Sequence, residues 1–268
     1  MSEVVLFDVQ DGVAVLTLNR PDRLNAWTGE MQARYLDLLV QCAASEDVRA
    51  IVVTGAGRGF CAGADMQNLQ AIAAQDGSAA STAEHDPRPV TFPLSIPKPI
   101  IAAINGPCAG LGLVQALLCD LRFAAEGAKL TTAFARRGLV AEHGISWLLP
   151  RLVGHARSLD LLLSGRVVLG SEAAAIGLVN RALPDGEVLA EALRYARMLA
   201  EESSPSSMAT MKAQVYGDYS RELGDALAEA NRLMFESFTA PDLAEGVQSF
   251  LERRPPKFAA LSTRLPVG

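Results

Sequence analysis

The sequence contains few cysteines and histidines and no long run of basic residues. Four cysteines are spread over 268 residues without a C-x-x-C pair, and only three histidines accompany them. Zinc sites and disulfide frameworks need closer groupings, so we expect buried reduced thiols and no metal site. Lys/Arg runs do not exceed pairs and the formal net charge is −6, which argues against nucleic acid or an anionic membrane as partner.

The sequence also shows no recognisable targeting or membrane-spanning segment. The chain has no run of about 18 uncharged apolar residues, and the stretch MSEVVLFDVQDG lacks the basic start and apolar run of a signal peptide. We therefore expect a cytoplasmic protein. Half of the residues are hydrophobic and a fifth are charged, which excludes a chain that is largely disordered.

The first half of the chain alternates between strand and helix patterns. VVLFDV (4–9) and VAVLTL (13–18) flank Asp11-Gly12, which predicts a β-hairpin. Residues 28–44 follow a helical period, and AIVVTG (50–55) is typical of a buried strand. The alternation continues through residues 99–125, and we expect an α/β fold.

The second half is predicted to be largely helical, and one internal segment to be a surface loop. The small, polar and proline-containing stretch 73–91 has no apolar period, which favours a loop. The other predicted elements are a strand at 178–183 and helices near 156–164, 172–176, 187–202, 206–238 and 243–251.

Two glycine-containing segments follow buried strands. GAGRGFCAGADM (55–66) does not match the dinucleotide-binding spacing G-x-G-x-x-G, because Phe60 stands where the third glycine is required. INGPCAGLG (104–112) follows the next strand. Small residues let a ligand approach the backbone closely, and if the two segments converge their N–H groups would form an oxyanion hole.

Five blocks of the sequence together resemble one family. They are NRPDRLNAW (19–27), RGFCAGADM (58–66), AAINGPCAGLG (102–112), RRGLVAEHGISWLLPRLVG (136–154) and SGRVVLGSEAAAIGLVNRALP (164–184). In order and spacing they are similar to the enoyl-CoA hydratase/isomerase (crotonase) superfamily. The resemblance implies a spiral of four repeated ββα units over residues 1–195, which would hold the acyl-CoA site. It also implies a helical region at 196–268 that forms trimers or hexamers.

The same resemblance implies an oxyanion hole for the thioester carbonyl of an acyl-CoA substrate. Its donors would be the backbone N–H groups of Ala64 and Leu111. Relatives usually have glycine at the second position. Leucine still supplies the N–H group, but its side chain must point away from the substrate.

Contacts with CoA are likewise implied by the resemblance. Arg23 would bind the phosphates, the stretch around Ala26 and the backbone at Ala62 would line the adenine and pantetheine, and Asp65 would brace the loop. Lys257 would reach the CoA of a neighbouring subunit. No cofactor is expected beyond the CoA of the substrate.

Proton transfer is where the sequence departs from hydratase relatives, which use two glutamates. The corresponding positions hold Val114 and Phe134. Glu142 instead resembles the single catalytic glutamate of enoyl-CoA isomerases, which can remove a proton from one carbon and return it to another. His143 is a further candidate acid or base, although adjacent side chains need not face the same way.

Apolar neighbours are expected to bury the Glu142 carboxyl group and raise its pKa toward neutrality. These neighbours are Val140, Ile145 and Trp147.

The sequence therefore predicts an enoyl-CoA hydratase or isomerase, with the single glutamate favouring isomerase chemistry. Two alternatives stay open at this stage. One is a catalytically idle CoA-binding subunit, and the other is a different reaction that uses the same oxyanion hole, such as dehalogenation, decarboxylation or thioester hydrolysis.

Overall fold

The computed structural model describes residues 3–74 and 86–261. The strands are β1 (Val5–Gln10), β2 (Val13–Leu18), β3 (Ala50–Gly55), β4 (Ile100–Ile104), β5 (Cys108–Ala109), β6 (Leu121–Ala125), β7 (Lys129–Thr131), β8 (Val168–Leu169) and β9 (Arg181–Leu183). The helices are α1 (Gly29–Ala44), α2 (Met66–Ala74), α3 (Leu111–Leu117), α4 (Ile145–Val153), α5 (His155–Ser164), α6 (Gly170–Ala175), α7 (Val188–Glu202), α8 (Pro205–Asp218), α9 (Leu223–Phe238) and α10 (Pro241–Glu252).

The predicted hairpin is formed by β1 and β2, which pair antiparallel from Val5 opposite Leu18 to Gln10 opposite Val13. Asp11 and Gly12 have φ values of 53° and 76°. Two consecutive positive φ values are characteristic of a type I′ turn, whose twist matches that of the strands. The local turn signal was therefore sufficient to predict this element.

The strands form two sheets. The larger has the order β1-β2-β3-β4-β6-β9, and all of its pairs except β1 with β2 are parallel. The smaller has the order β5-β7-β8. Both β3 and β4 are buried at every residue, so the core lies around the centre of the large sheet.

Each turn of the chain contributes a strand to the large sheet, then a short β pairing in a second layer, and then a helix. In the first two turns the second-layer pairing is a single backbone β-bridge. Trp27 pairs with Ala64, and Cys61 pairs with Cys108. The next two turns use β4 then β5, and β6 then β7. This arrangement confirms the expected α/β spiral of ββα units.

Helix α1 begins where the sequence predicts. The Thr28 hydroxyl accepts a hydrogen bond from the Met31 N–H, which caps the helix. The predicted apolar face is buried: Met31, Tyr35, Leu38, Leu39 and Cys42. Helix α1 packs on β1 and β2, whereas α7 packs on β3 and β4.

Three sequence-based boundaries were wrong. The predicted strand 178–183 is reduced to β9, because the N–H groups of Leu178 and Val179 donate to Ala173 O and complete the end of α6. The predicted helix 206–238 is two helices, α8 and α9, separated by a turn at 219–222.

The third boundary concerns the predicted loop 73–91, which begins inside helix α2. Residues 75–85 lie outside the described residues, so the loop prediction has no test there. Helix α2 follows Asp65, whose carboxylate accepts the N–H of Gln67 at 3.0 Å. Asp65 therefore caps the N-terminus of α2.

The C-terminal helices leave large apolar side chains exposed. Helix α9 has no buried residue, and α10 buries only Ser249. Among the exposed side chains are Leu223 at 83% and Phe250 at 82%. The division of the chain at residue 195 stays a prediction; that residue lies inside α7. Across the described ranges, no helix has the length and apolarity needed to cross a membrane.

Candidate active site

The two glycine-containing segments lie side by side. The backbones of Cys61 and Cys108 form a β-bridge. The Cys61 N–H donates to Pro107 O at 3.1 Å, and the Ala109 N–H donates to Cys61 O at 3.0 Å. These bonds hold the ends of the two segments in register. Two stretches that are 47 residues apart in sequence, counted from Cys61 to Cys108, thus meet at one place.

The N–H groups of Ala64 and Leu111 are left without a protein acceptor in the described part of the chain. On either side of Ala64, the Trp27 N–H donates to Gly63 O at 2.7 Å and the Asp65 N–H donates to Trp27 O at 3.1 Å. Leu111 is the first residue of α3, where helical N–H groups have no intrahelical partner. Both donors are therefore able to bind an oxygen atom of a ligand.

Glycines bring these donors close together. Gly63 has a φ of +101°, and a Cβ atom at this position would lie 2.9 Å from Ala109 O and 3.7 Å from Leu111 N. Gly112 packs even more closely, since a Cβ atom there would lie 2.3 Å from Cys61 O. Residues with side chains cannot replace either glycine without moving one of the two donors.

A cavity of about 330 Å³ lies at this junction. Seven of the eight predicted site residues line it together: Arg23, Ala26, Ala62, Ala64, Asp65, Leu111 and Glu142. The remaining one, Lys257, is exposed and lies outside the cavity; its backbone N–H donates to a Glu245 carboxylate oxygen at 2.6 Å. The cavity also includes residues that the sequence interpretation did not select: Met66, Gln67, Leu69, Thr132, Ala133, Arg137 and Leu139.

The two positions that correspond to hydratase glutamates differ in their relation to the cavity. Phe134, at one of the two positions corresponding to hydratase glutamates, lines the cavity and is 4% exposed. Val114, at the other, is completely buried and is not a cavity residue. The carboxylates among the described residues that line the cavity are Glu142 and Asp65.

Burial of Glu142 is less complete than expected, since its side chain is 33% exposed. Of the three neighbours expected to surround it, only Ile145 is buried, whereas Val140 is 76% exposed and Trp147 is 39% exposed. The expectation that all three would desolvate the carboxyl group was wrong in this respect.

His143 faces the same cavity as Glu142. Its Nε2 atom lies 3.6 Å from Glu142 Oε2, and its side chain is 35% exposed. Burial lowers the pKa of His143, and the Glu142 carboxylate opposes that shift only in part. The imidazole is therefore neutral at pH 7 and able to accept a proton.

Asp65 is engaged in structural contacts. Its carboxylate accepts hydrogen bonds from the Gln67 N–H at 3.0 Å and from Arg20 Nη2 at 2.9 Å. The Gln67 N–H and then Arg20 lower the pKa of Asp65, so it is ionised at neutral pH. Arg20 also donates to Ala26 O, and it therefore connects two walls of the cavity. The sequence interpretation missed Arg20, because no local pattern indicates a contact with Asp65, 45 residues away.

Arg23 lines the cavity as the last residue of a short 3-10 helix, Pro21–Arg23, and precedes a tight turn. Asn25, two residues further on, is fully buried, has a φ of 56°, and donates from Nδ2 to Gly59 O at 2.8 Å and Ala56 O at 3.0 Å. Arg23 itself is exposed, and within the described ranges no carboxylate lies within ion-pair distance of it. The guanidinium group is therefore able to bind an external anion.

The described residues contain no group of three or more His, Cys, Asp or Glu side chains that could hold a metal ion. All four cysteines are free and buried. Burial raises the pKa of Cys61 to about 12, so this thiol beside the cavity is protonated at neutral pH.

Comparison with known proteins identifies the family. The sequence model of the enoyl-CoA hydratase/isomerase family matches residues 8–260. The 1,2-epoxyphenylacetyl-CoA isomerase of Escherichia coli K12 is 34% identical over 261 residues, which cover 96% of this chain and 99% of that protein.

Comparison with solved structures identifies the same family. An enoyl-CoA hydratase from Polaromonas sp. JS666 superimposes with a TM-score of 0.88 at 30% identity, covering 95% of this chain and 99% of that one. An enoyl-CoA hydratase from Mycobacterium marinum is 48% identical, with a TM-score of 0.70, and the match covers 82% of this chain and 100% of that one.

The two-sheet α/β spiral with its C-terminal helices defines the crotonase class of proteins. The chain belongs to the enoyl-CoA hydratase/isomerase family. It is accordingly a crotonase-family enzyme whose substrate is an acyl-CoA.

Proposed function

We propose that the protein isomerises an enoyl-CoA, with Glu142 as the proton carrier. The observation that carries the proposal is the carboxylate content of the cavity. Asp65 is committed to Arg20 and to the Gln67 N–H, which leaves Glu142 as the carboxylate available for proton transfer among the cavity residues described. The Escherichia coli relative is named an isomerase of 1,2-epoxyphenylacetyl-CoA, so its name supports isomerisation of an acyl-CoA, although at an epoxide and not at a double bond.

The proposed chemistry begins at the thioester. The N–H groups of Ala64 and Leu111 bind the carbonyl oxygen and stabilise the negative charge that develops there when a proton leaves the α-carbon. Glu142 removes that proton, and protonation of the γ-carbon then moves the double bond by one position. A single carboxylate suffices for this shift, whereas hydration also needs a base to activate water.

The test is to supply two substrates separately and measure which one is consumed. Purified protein is incubated with crotonyl-CoA, which is hydrated by a hydratase, and with a 3-enoyl-CoA, which is converted by an isomerase. We expect the 3-enoyl-CoA to disappear and crotonyl-CoA to persist. Consumption of crotonyl-CoA alone would establish a hydratase, and consumption of neither would favour an idle binding subunit or another reaction of the superfamily.

We further propose that Arg23 binds the phosphates of CoA, while Ala26 and Ala62 line its adenine and pantetheine portions. Replacing Arg23 by Ala should weaken CoA binding at low ionic strength, by roughly three- to thirtyfold, because one charge-assisted contact is lost. Calorimetric titration at two salt concentrations measures the effect. The matched control is Arg157→Ala on α5, since Arg157 is exposed and outside the cavity. Equal affinities of the two variants would refute the assignment.

We also propose that the C-terminal helices associate in a trimer or hexamer. Their exposed apolar side chains border a groove of about 890 Å³ between α8, α9 and α10, and a second copy of the chain would remove them from water. Sedimentation equilibrium should show a trimer or hexamer at micromolar concentration. Phe250→Ser should weaken the association, whereas Val140→Ser, which changes an exposed residue outside these helices, should not. A monomeric parent protein would contradict the proposal.

Two further expectations depend on that assembly and on the composition. We propose that the exposed Lys257 side chain reaches the CoA of a neighbouring subunit, which would explain why it does not line the cavity of its own chain. We also propose a cytoplasmic location, and the acidic composition, with 30 Asp and Glu against 24 Lys and Arg, argues against a nucleic-acid or anionic-membrane partner.

A further inference from the structure

Glu142 and His143 are neighbours in sequence, yet both line the cavity. In a helix or strand, adjacent side chains point in different directions. His143 instead has a φ of 55°, a left-handed conformation that few residues other than glycine adopt. This turn brings the imidazole Nε2 to 3.6 Å from Glu142 Oε2.

The conformation is unfavourable for a residue with a side chain, because the Cβ atom comes too close to the following carbonyl oxygen. Gly144 follows, also with a positive φ of 80°, and α4 begins immediately afterwards. A histidine held in this conformation beside a cavity is the kind of local strain that accompanies functional sites. The strain alone defines no role, but the position of the imidazole does suggest one.

We propose that His143 is a second proton carrier, which receives a proton from Glu142 and delivers it to the substrate. The inference rests on the proposed isomerisation. The separation of 3.6 Å is longer than a hydrogen bond, so an approach of roughly 0.5 Å, within ordinary side-chain motion, brings the two atoms into contact.

The steps balance without any further reactant. Glu142 takes the proton from the α-carbon, and the electron pair of that C–H bond enters the dienolate held by the Ala64 and Leu111 N–H groups. The protonated carboxyl group passes the proton to Nε2 of the neutral imidazole, which becomes a cation. The imidazolium then protonates the γ-carbon, the double bond moves by one position, and both side chains return to their initial states.

The surroundings of His143 are compatible with this role. Among the residues that the structure describes, the other ionisable groups that line the cavity are Arg23, Asp65 and Arg137. Asp65 is paired with Arg20, so the carboxylate partner available to the imidazole is Glu142. The imidazole is also 35% exposed, so a proton that passes to Nε2 has an additional opportunity to exchange with water before it reaches the γ-carbon.

Isotope transfer distinguishes one carrier from two. A 3-enoyl-CoA deuterated at the α-carbon is converted in H₂O, and mass spectrometry measures the deuterium that reaches the γ-carbon. We expect little deuterium there in the parent protein. His143→Gln should turn over about ten- to a hundredfold more slowly and retain more deuterium, because Glu142 must then carry the same proton to both positions. His155→Gln, at an exposed position on α5, is the control and should match the parent.

A second measurement does not require turnover. The His143 imidazole is titrated by NMR in the parent and in Glu142→Gln, with His143→Gln used to assign its signal. Glu142 raises the pKa of His143, so the variant should titrate at a lower pH than the parent. Identical titrations would overturn the proposed pair, whatever the activity.

The outcomes separate this inference from the proposed function. If the parent isomerises 3-enoyl-CoA but His143→Gln matches it in rate and in deuterium transfer, His143 is not a proton carrier and the isomerase assignment stands. If the parent converts no 3-enoyl-CoA, the isomerase assignment fails and the delivery step fails with it. Circular dichroism and CoA affinity verify that the variants are folded.

Discussion

Replacing Glu142 by Gln is expected to reduce isomerase turnover by about a hundred- to ten-thousandfold, the usual cost of losing a general base. The amide has nearly the same shape as the carboxyl group but cannot accept the substrate proton. Substrate affinity should change little, because the N–H groups of Ala64 and Leu111 and the side chain of Arg23 are unaltered. Steady-state kinetics and direct binding of a saturated acyl-CoA measure the two quantities separately.

The control for this variant is Glu201→Gln, an exposed carboxylate on α7 outside the cavity, which should leave both quantities unchanged. If Glu142→Gln retained turnover within a few-fold of the parent, another group would have to remove the proton, and the isomerase proposal would lose its main support. A loss of affinity as large as the loss of rate would indicate a structural role instead.

The second large effect is expected at Gly112. A Cβ atom there would lie 2.3 Å from Cys61 O and 2.8 Å from Cys61 Cβ, closer than atoms of a folded protein can pack. Either α3 moves and displaces the Leu111 N–H, or the segment at Cys61 moves and displaces the Ala64 N–H. Gly112→Ala should therefore lose both stability, by about 1–3 kcal/mol, and most of its activity.

Thermal unfolding and kinetics at a temperature well below the transition distinguish these losses. For a chain of this size each kcal/mol corresponds to roughly 2–4 °C in Tm. Gly29→Ala, at the start of α1 with no atom within 4 Å of the added Cβ, is the control and should lose neither stability nor activity. A fully active and stable Gly112→Ala would show that the two loops need not be held this closely.

Local patterns account for much of the fold. The hairpin follows from Asp11-Gly12, and α1 follows from an apolar period with Thr28 as its cap. Prediction failed at the ends of elements, where backbone hydrogen bonds that close a helix, and not the apolar pattern, decided the outcome. The strand expected from residue 178 is shortened because its first N–H groups complete α6. In the same way, α8 and α9 share one continuous helical pattern but are separate helices.

The candidate site also combines features that the sequence predicts with features that depend on the tertiary structure. The sequence alone determined which backbone segments are glycine-containing and that Glu142 is present, and its resemblance to the family implied that Val114 and Phe134 stand at the hydratase positions. These are local properties of the chain, and they were enough to indicate the family and the candidate residues.

Only the tertiary structure decided which of those groups share one cavity. It placed Glu142 with the N–H groups of Ala64 and Leu111, left Lys257 outside, and brought Arg20 to Asp65 across 45 residues. It also turned His143 toward Glu142 through a positive φ that no pattern in the sequence indicates. The physical reason is that local propensity depends on near neighbours, whereas the position of a side chain in a cavity depends on how packed elements constrain its backbone.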